Sequence, residues 1–176
     1  MRLIIVAFAL ALAACSGAEQ ADTVTQDEDI VPVAQASAQL GAGGITLTGG
    51  AEDVAVPFGS SRAETEATLI PLLGEPQSRD ANGECGAGAM EFSAYEGLTL
   101  NFMDGIFVGW SANGAPYLPS ETRAELGDAA TPFADSTIGE EFTMGEGDAI
   151  VSGLFASDDP DAPVTDLWAG TNCIFR

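Results

Sequence analysis

The side chains of this chain that could do chemistry are carboxylates, hydroxyls and three cysteines. There is no histidine and no lysine, the five basic residues all being arginine, so an imidazole base and an amine nucleophile are both missing. A hydrolase made from what remains needs two carboxyl groups facing each other across a cleft. The densest acidic pairs are Glu140-Glu141 and Asp158-Asp159. Neighbours in sequence do not by themselves face each other, and both pairs read as solvated turn residues, so no catalytic residue is expected. The acids could also offer oxygen ligands to Ca²⁺, with Asp158, Asp159, Asp161 and Asp166 as one group and Glu146 and Asp148 as another. A defined site wants roughly six to eight oxygens and usually a tight glycine-containing loop. The first group holds Pro160 and Pro163 but no glycine, which reads as an acidic hairpin tip; no metal and no cofactor is expected.

Charge narrows the partners. Asp and Glu number 27 against five arginines, a formal net charge of −22. No basic surface is available to displace counterions from a polyanion, which argues against nucleic acid. An acidic surface favours solubility first, and a cationic partner or divalent ions second.

The cysteines say most about location. After Met1-Arg2 the chain is apolar from Leu3 to Ala14 and then reaches Cys15. A charged start, a short apolar stretch and small residues before a cut describe a secretory signal peptide, too short to span a bilayer comfortably. Leu12-Ala13-Ala14-Cys15 closely resembles the lipobox of bacterial lipoproteins. The resemblance implies a signal peptide over 1–14, cleavage before Cys15, and acylation there. It also implies a membrane-anchored, periplasm-facing protein of the cell envelope, and Ser16 after the cysteine resembles outer-membrane sorting. Several acyl chains meet the requirement for stable anchoring that one does not. Export then leaves Cys85 and Cys173 as a single pair in an oxidising space, with one possible connectivity.

Residues 15–44 are expected to be the lipidated cysteine and an acidic tether. Their Ala, Gln, Asp, Glu and Thr cannot bury enough surface to offset ordering entropy. Such a coil would hold a domain on the order of 30 Å from the membrane. Residues 45–176 are expected to form one α+β domain, with short helices packed on an antiparallel sheet. Ile45–Thr48 and Val54–Phe58 read as short strands. Ser61 and Glu64 form a capping-box pair, and Leu73-Gly74-Glu75-Pro76 ends the helix they open. Ala63, Ala67, Ile70 and Leu73 are its expected inner face, with a kink or break near Leu69-Ile70 forced by Pro71.

Residues 77–88 read as a polar loop. Three strands follow, Met90–Ala94, Leu98–Phe102 and Ile106–Trp110. The stripe Leu98, Leu100, Phe102 continues into Ile106, Val108 and Trp110 only if Phe102 sits opposite Ile106, so Met103-Asp104-Gly105 is expected to be a three-residue loop. Ser120 is the expected cap of a second helix over Glu121 to Asp128 or Ala130. Strands are expected again at Phe142–Met144, Ile150–Phe155, Val164–Ala169 and Cys173–Phe175. Helix, three strands, helix, three or four strands suggests a duplicated helix-plus-hairpin unit.

Gly59-Ser60-Ser61 with Glu64, the Leu73-Gly74-Glu75-Pro76 stop, Leu98–Phe102, Asp104-Gly105 and Val108 resemble the helix-then-hairpin pattern of envelope lipoproteins of the SmpA/OmlA (BamE) type. They also resemble β-lactamase-inhibitory-protein-like repeats. Over Phe58 to Trp110 the resemblance implies a layered scaffold with a protein-binding or assembly role, and it brings no catalytic residues. The expectation is a non-enzymatic, lipid-anchored envelope module that binds another envelope protein. The alternatives are a carboxylate-dependent hydrolase of envelope polymers and a weak divalent-cation binder.

Overall fold

Two antiparallel sheets and two short helices carry the described chain; the computed structural model describes residues 36–174. Cys15 and the first part of the expected tether lie outside these residues, as do Phe175 and Arg176. A small meander comes first: β1 (Ser37–Gly41), β2 (Gly44–Thr48) and β3 (Val54–Pro57). Ile45 and Val56 face each other in its register and are both buried, while Val54 is exposed, the alternation expected of a half-buried strand. Strand β1 falls inside the stretch expected to be tether. Ala38 and Leu40 alternate with Ser37 and Gln39 and pack on the core, a signal too short to stand out from its polar surroundings.

Helix α1 (Arg62–Leu73) opens on the expected capping box, in which the Ser61 hydroxyl accepts from the Glu64 N–H and the Glu64 carboxylate accepts from the Ser61 N–H. It closes at Gly74, whose φ of 77° suits a residue without Cβ. The break expected at Leu69-Ile70 is absent, because Pro71 is exposed in the last turn and removes only one bond there. The inner face also differs from expectation. Ala63 and Ala67 are exposed, Thr65 and Leu69 are buried, and Arg62 and Glu66 share the sheet-facing side.

The large sheet has eight strands. The first four are β4 (Ser78–Asn82), β5 (Met90–Tyr95), β6 (Leu98–Met103) and β7 (Ile106–Ala112). Helix α2 (Arg123–Leu126) follows, running into a 3-10 turn at Gly127–Ala129. The last four are β8 (Thr131–Pro132), β9 (Glu140–Met144), β10 (Val151–Phe155) and β11 (Val164–Gly170), and the spatial order is β4-β5-β6-β7-β11-β10-β9-β8. Strand β4 replaces the first part of the expected loop over 77–88. Thr122, with Glu125 as its capping-box partner, replaces Ser120 as the cap of α2. Residues 172–174 are not a strand.

The β6–β7 turn corrects the expected register. Met103, not Phe102, pairs with Ile106, so Asp104-Gly105 is a two-residue turn with φ of 51° and 74°, the left-handed pair of a type I′ hairpin. That turn alone would set Trp110 opposite Thr99, out of phase with the apolar stripe. A bulge restores the phase: Asn101 pairs with Gly109 but Phe102 with Phe107, leaving Val108 extra. Leu100 then faces Trp110, and Phe102, Phe107 and Trp110 are fully buried.

The chain order is helix, four strands, helix, four strands, and the last strand of each half, β7 and β11, pair at the middle of the sheet. The halves agree in detail. Ser61 bridges Ile106 at the start of β7, and Thr122 bridges Pro163 just before β11. The bulge at Val108 has its counterpart at Thr165, between the pairs Leu154–Asp166 and Phe155–Val164. Ser61-Arg62-Ala63-Glu64 recurs as Thr122-Arg123-Ala124-Glu125. The fold is a duplicated α+β unit, with both helices on one side of the sheet.

Candidate functional site

Each helix starts with an arginine laid over the sheet. The Arg62 guanidinium lies 5.0 Å from the Phe102 ring centroid and Arg123 lies 5.3 Å from that of Phe155. Arg62 also pairs with Glu91 at 2.8 Å, and Arg123 with Glu140 at 2.7 Å. Glu91 faces Phe102 across β5–β6 and Glu140 faces Phe155 across β9–β10, so the four residues correspond two by two.

Beyond that shared frame the halves diverge. In the first, Glu66 accepts from the Arg62 Nε at 3.0 Å, from the Ser93 hydroxyl and from the Arg79 Nη2 at 2.8 Å. Burial pushes the Glu66 carboxyl up, but the hydrogen bonds from Arg79, Ser93 and Arg62 outweigh it and hold it at about 2. Tyr95, next but one on the same strand, is pushed up to about 12, mainly by burial, with Glu66 adding to the effect. In the second half Gly127, Phe142 and Pro132 stand at the positions of Glu66, Ser93 and Arg79. A packed ionic cluster is thereby replaced by an apolar floor, in which the Phe142 and Phe155 rings stack with centroids 4.2 Å apart.

The other face of the large sheet follows from the register. Arg79, Ser93, Leu100, Trp110 and Ala169 share the helix side, where the core cluster also takes in Ile45, Val56 and Leu69. The alternate residues point away. Ser78, Ala94, Thr99 and Ser111 form one continuous cross-strand row. The row runs on through Trp168, Ser152, Thr143 and Thr131 to the far edge. Apart from Ala94 and Trp168 it is all hydroxyl. Thr99, Ser111, Ser152 and Thr143 are half-buried, whereas Trp168 is only 6% exposed, as expected of a packed residue rather than a stacking platform.

One end of this face is crossed by the segment after β11. The Thr171 N–H donates to the Val108 carbonyl, and Asn101 donates its side-chain amide to the Thr171 carbonyl and to Asn172. A Cβ on Gly109 would lie 2.2 Å from the Thr171 oxygen, so the crossing requires glycine there. The expected Cys85–Cys173 disulfide fixes the far end, its Cα atoms 5.0 Å apart, and ties the segment to the β4–β5 loop.

The acidic pairs are placed apart in role. Glu140 is held by Arg123, while Glu141 is buried. The Asp159 N–H donates to the Ser157 hydroxyl and the Asp161 N–H to Asp159 Oδ1, turn contacts within an exposed tip. Among the described residues no group of three or more Asp, Glu, Cys or His could hold a metal ion. Sequence reasoning missed Arg62, Glu66, Arg79, Ser93 and Arg123; the recurring Arg-Ala-Glu after each cap was the available signal. Compared with known proteins, the chain matches no family model, no curated protein and no solved structure.

Proposed function

We propose that this chain is a non-catalytic, lipid-anchored module of the bacterial cell envelope that holds another envelope protein against the open face of its large sheet. The observation that carries the reading is the cross-strand row on the side away from both helices, to which six of the eight strands of the large sheet contribute a hydroxyl. Short hydroxyl side chains leave that surface flat and able to exchange hydrogen bonds with a partner. The partner is a protein surface carrying Lys or Arg. Arg62, Arg79 and Arg123 are all engaged in ion pairs on the helix side, while Asp80 and Asp166 flank the open face by register, within a chain of net charge −22. The lipobox-like Cys15 supplies the anchor, and it lies outside the described residues.

A photo-crosslinking residue at Thr99 or Ser111, compared with one at Ala67 on the exposed side of α1, tests this in the native envelope. Crosslinks to one protein from Thr99 and Ser111, weakened by salt, are expected. Crosslinks only from Ala67 would overturn the assignment of the face.

A further inference from the structure

We infer that the free edge of β1 binds an extended segment of another protein, which adds a strand there and sets two apolar side chains, at alternate positions, into the groove beside it. The groove is two hollows that meet at Ala38, Gln39, Pro116 and Tyr117, with volumes of about 540 and 410 Å³. Its reachable walls are Leu72 and Leu73 at one end, Tyr117 and Leu118 along the middle, and Met144 and Val151 at the other, all half-buried.

The occupant is a strand because of how β1 is paired. It is an outer strand of the small sheet, with β2 on one side only. The Phe58 N–H donates to the Gly43 carbonyl, and Ile45 opposite Val56 is the next hydrogen-bonded pair in that ladder. The backbone groups of Ile45 therefore turn toward β3, and those of Leu40, its partner on the other side, turn away from β2. Ala38, two residues back, does the same. Neither residue's N–H or C=O makes a hydrogen bond among the described residues, so the edge offers two donors and two acceptors. A strand laid alongside in antiparallel register satisfies all four, and its residues opposite Ala38 and Leu40 point their side chains inward as those two do. Ser37 and Gln39 are exposed, so the alternate residues of the incoming strand face solvent.

Charge chooses the sequence around that apolar pair. Glu96 is the charged residue lining the groove, and Glu146 and Asp148 sit in the turn that Met144 and Val151 close at the other end. All three are exposed, and none forms an ion pair among the described residues. Arg62 and Arg79, the cations whose charge reaches Tyr95, are held by Glu66, Glu75 and Glu91. Both ends of the groove thus present acid without a counter-ion. This fits Lys or Arg on either side of the apolar pair, and it repels a second copy of a chain whose net charge is −22.

The test is a titration of the full chain from residue 15, with Cys15→Ser, by the capped peptide Lys-Val-Thr-Val-Lys, followed through backbone amide NMR shifts. Saturable shifts are expected at Ala38, Leu40, Leu73, Tyr117 and Met144, weakening as salt is added. Glutamate in place of both lysines should weaken binding on the order of tenfold. N-methylation of both valines keeps the side chains and removes the donors to Ala38 and Leu40, and it should weaken binding by about as much. Ala38→Pro removes an outward N–H and leaves the ladder to β2 intact, so the variant should fold and bind about tenfold more weakly. Undiminished binding in any of these three cases, shifts confined to Thr99 and Ser111 on the open face, or no shifts at all overturns the proposal. Dimerisation through Ala38 and Leu40, or peptide binding that requires removal of residues 16–32, assigns the edge to another occupant and equally overturns it.

Discussion

Arg62 reaches Glu66 one turn along its own helix and Arg79 reaches the same carboxylate from an edge strand, at 3.0 and 2.8 Å. Two cations on one acid, with Ser93 beneath, turn the charged side of α1 into its docking side. Removing Glu66 would leave two arginines facing each other, so the carboxylate sets how the helix sits on β4 and β5.

That arrangement carries an acid dependence. The folded Glu66 value, about 2, lies below the ordinary 4.5. A depressed carboxylate contributes stability that is present above the unfolded pKa and lost as pH falls through the folded one. The shift corresponds to roughly 3 kcal/mol at about 1.4 kcal/mol per unit, less where solvent screens the arginines. Urea midpoints should therefore fall between about pH 4.5 and 2, and Glu66→Gln should flatten this slope while lowering stability at neutral pH.

Gly153 stands where the first half has Leu100, and Phe142 where it has Ser93, so the two halves fill the same space with large and small residues exchanged. A Cβ on Gly153 would lie 2.5 Å from Phe142 Cζ and 2.8 Å from the Asp166 oxygen. Gly153→Ala should destabilise by about 1–3 kcal/mol through overpacking. A melting temperature equal to that of the parent protein would refute the volume exchange.

The type I′ turn makes a different demand. Nothing lies within 4 Å of a Cβ built on Gly105, so the cost of a side chain there comes from its φ of 74° alone. Gly105→Val should lose on the order of 1–2 kcal/mol in chemical denaturation, since β-branched residues resist positive φ.

Loss of the disulfide should act on the strap across the open face. Chemical denaturation of Cys85→Ala with Cys173→Ala should show a loss of about 2–5 kcal/mol in a protein that still folds. Faster amide exchange at Thr171 is expected as the segment lifts. The unreduced parent should titrate with no free thiol at these positions.

The anchor is tested by fractionation. Cys15→Ser should release the protein from membranes or block its processing, and normal processing with retained membrane binding would remove the lipobox-like reading.

By itself the sequence determined what local chemistry dictates. Ser61 with Glu64 and Gly74 bounded α1, because caps satisfy backbone groups within a few residues. Alternation marked β5, β6, β7, β10 and β11, and the cysteine pair had one partner each. Tertiary structure decided the rest. Taken alone, a two-residue Asp104-Gly105 turn puts Trp110 out of phase with the apolar stripe, and only pairing between whole strands shows that a bulge at Val108 corrects it. The inner face of α1 could not be read from apolar spacing, since Arg62 and Glu66 turn inward only where Arg79, Ser93 and Glu91 arrive from other strands to compensate them. Strand β4 is polar on both faces and exists through its ladder to β5. The stacked Phe142 and Phe155 rings take the place of the ionic cluster of the first half because Gly127 supplies no side chain at the place of Glu66, a relation between two halves that no window along either one contains.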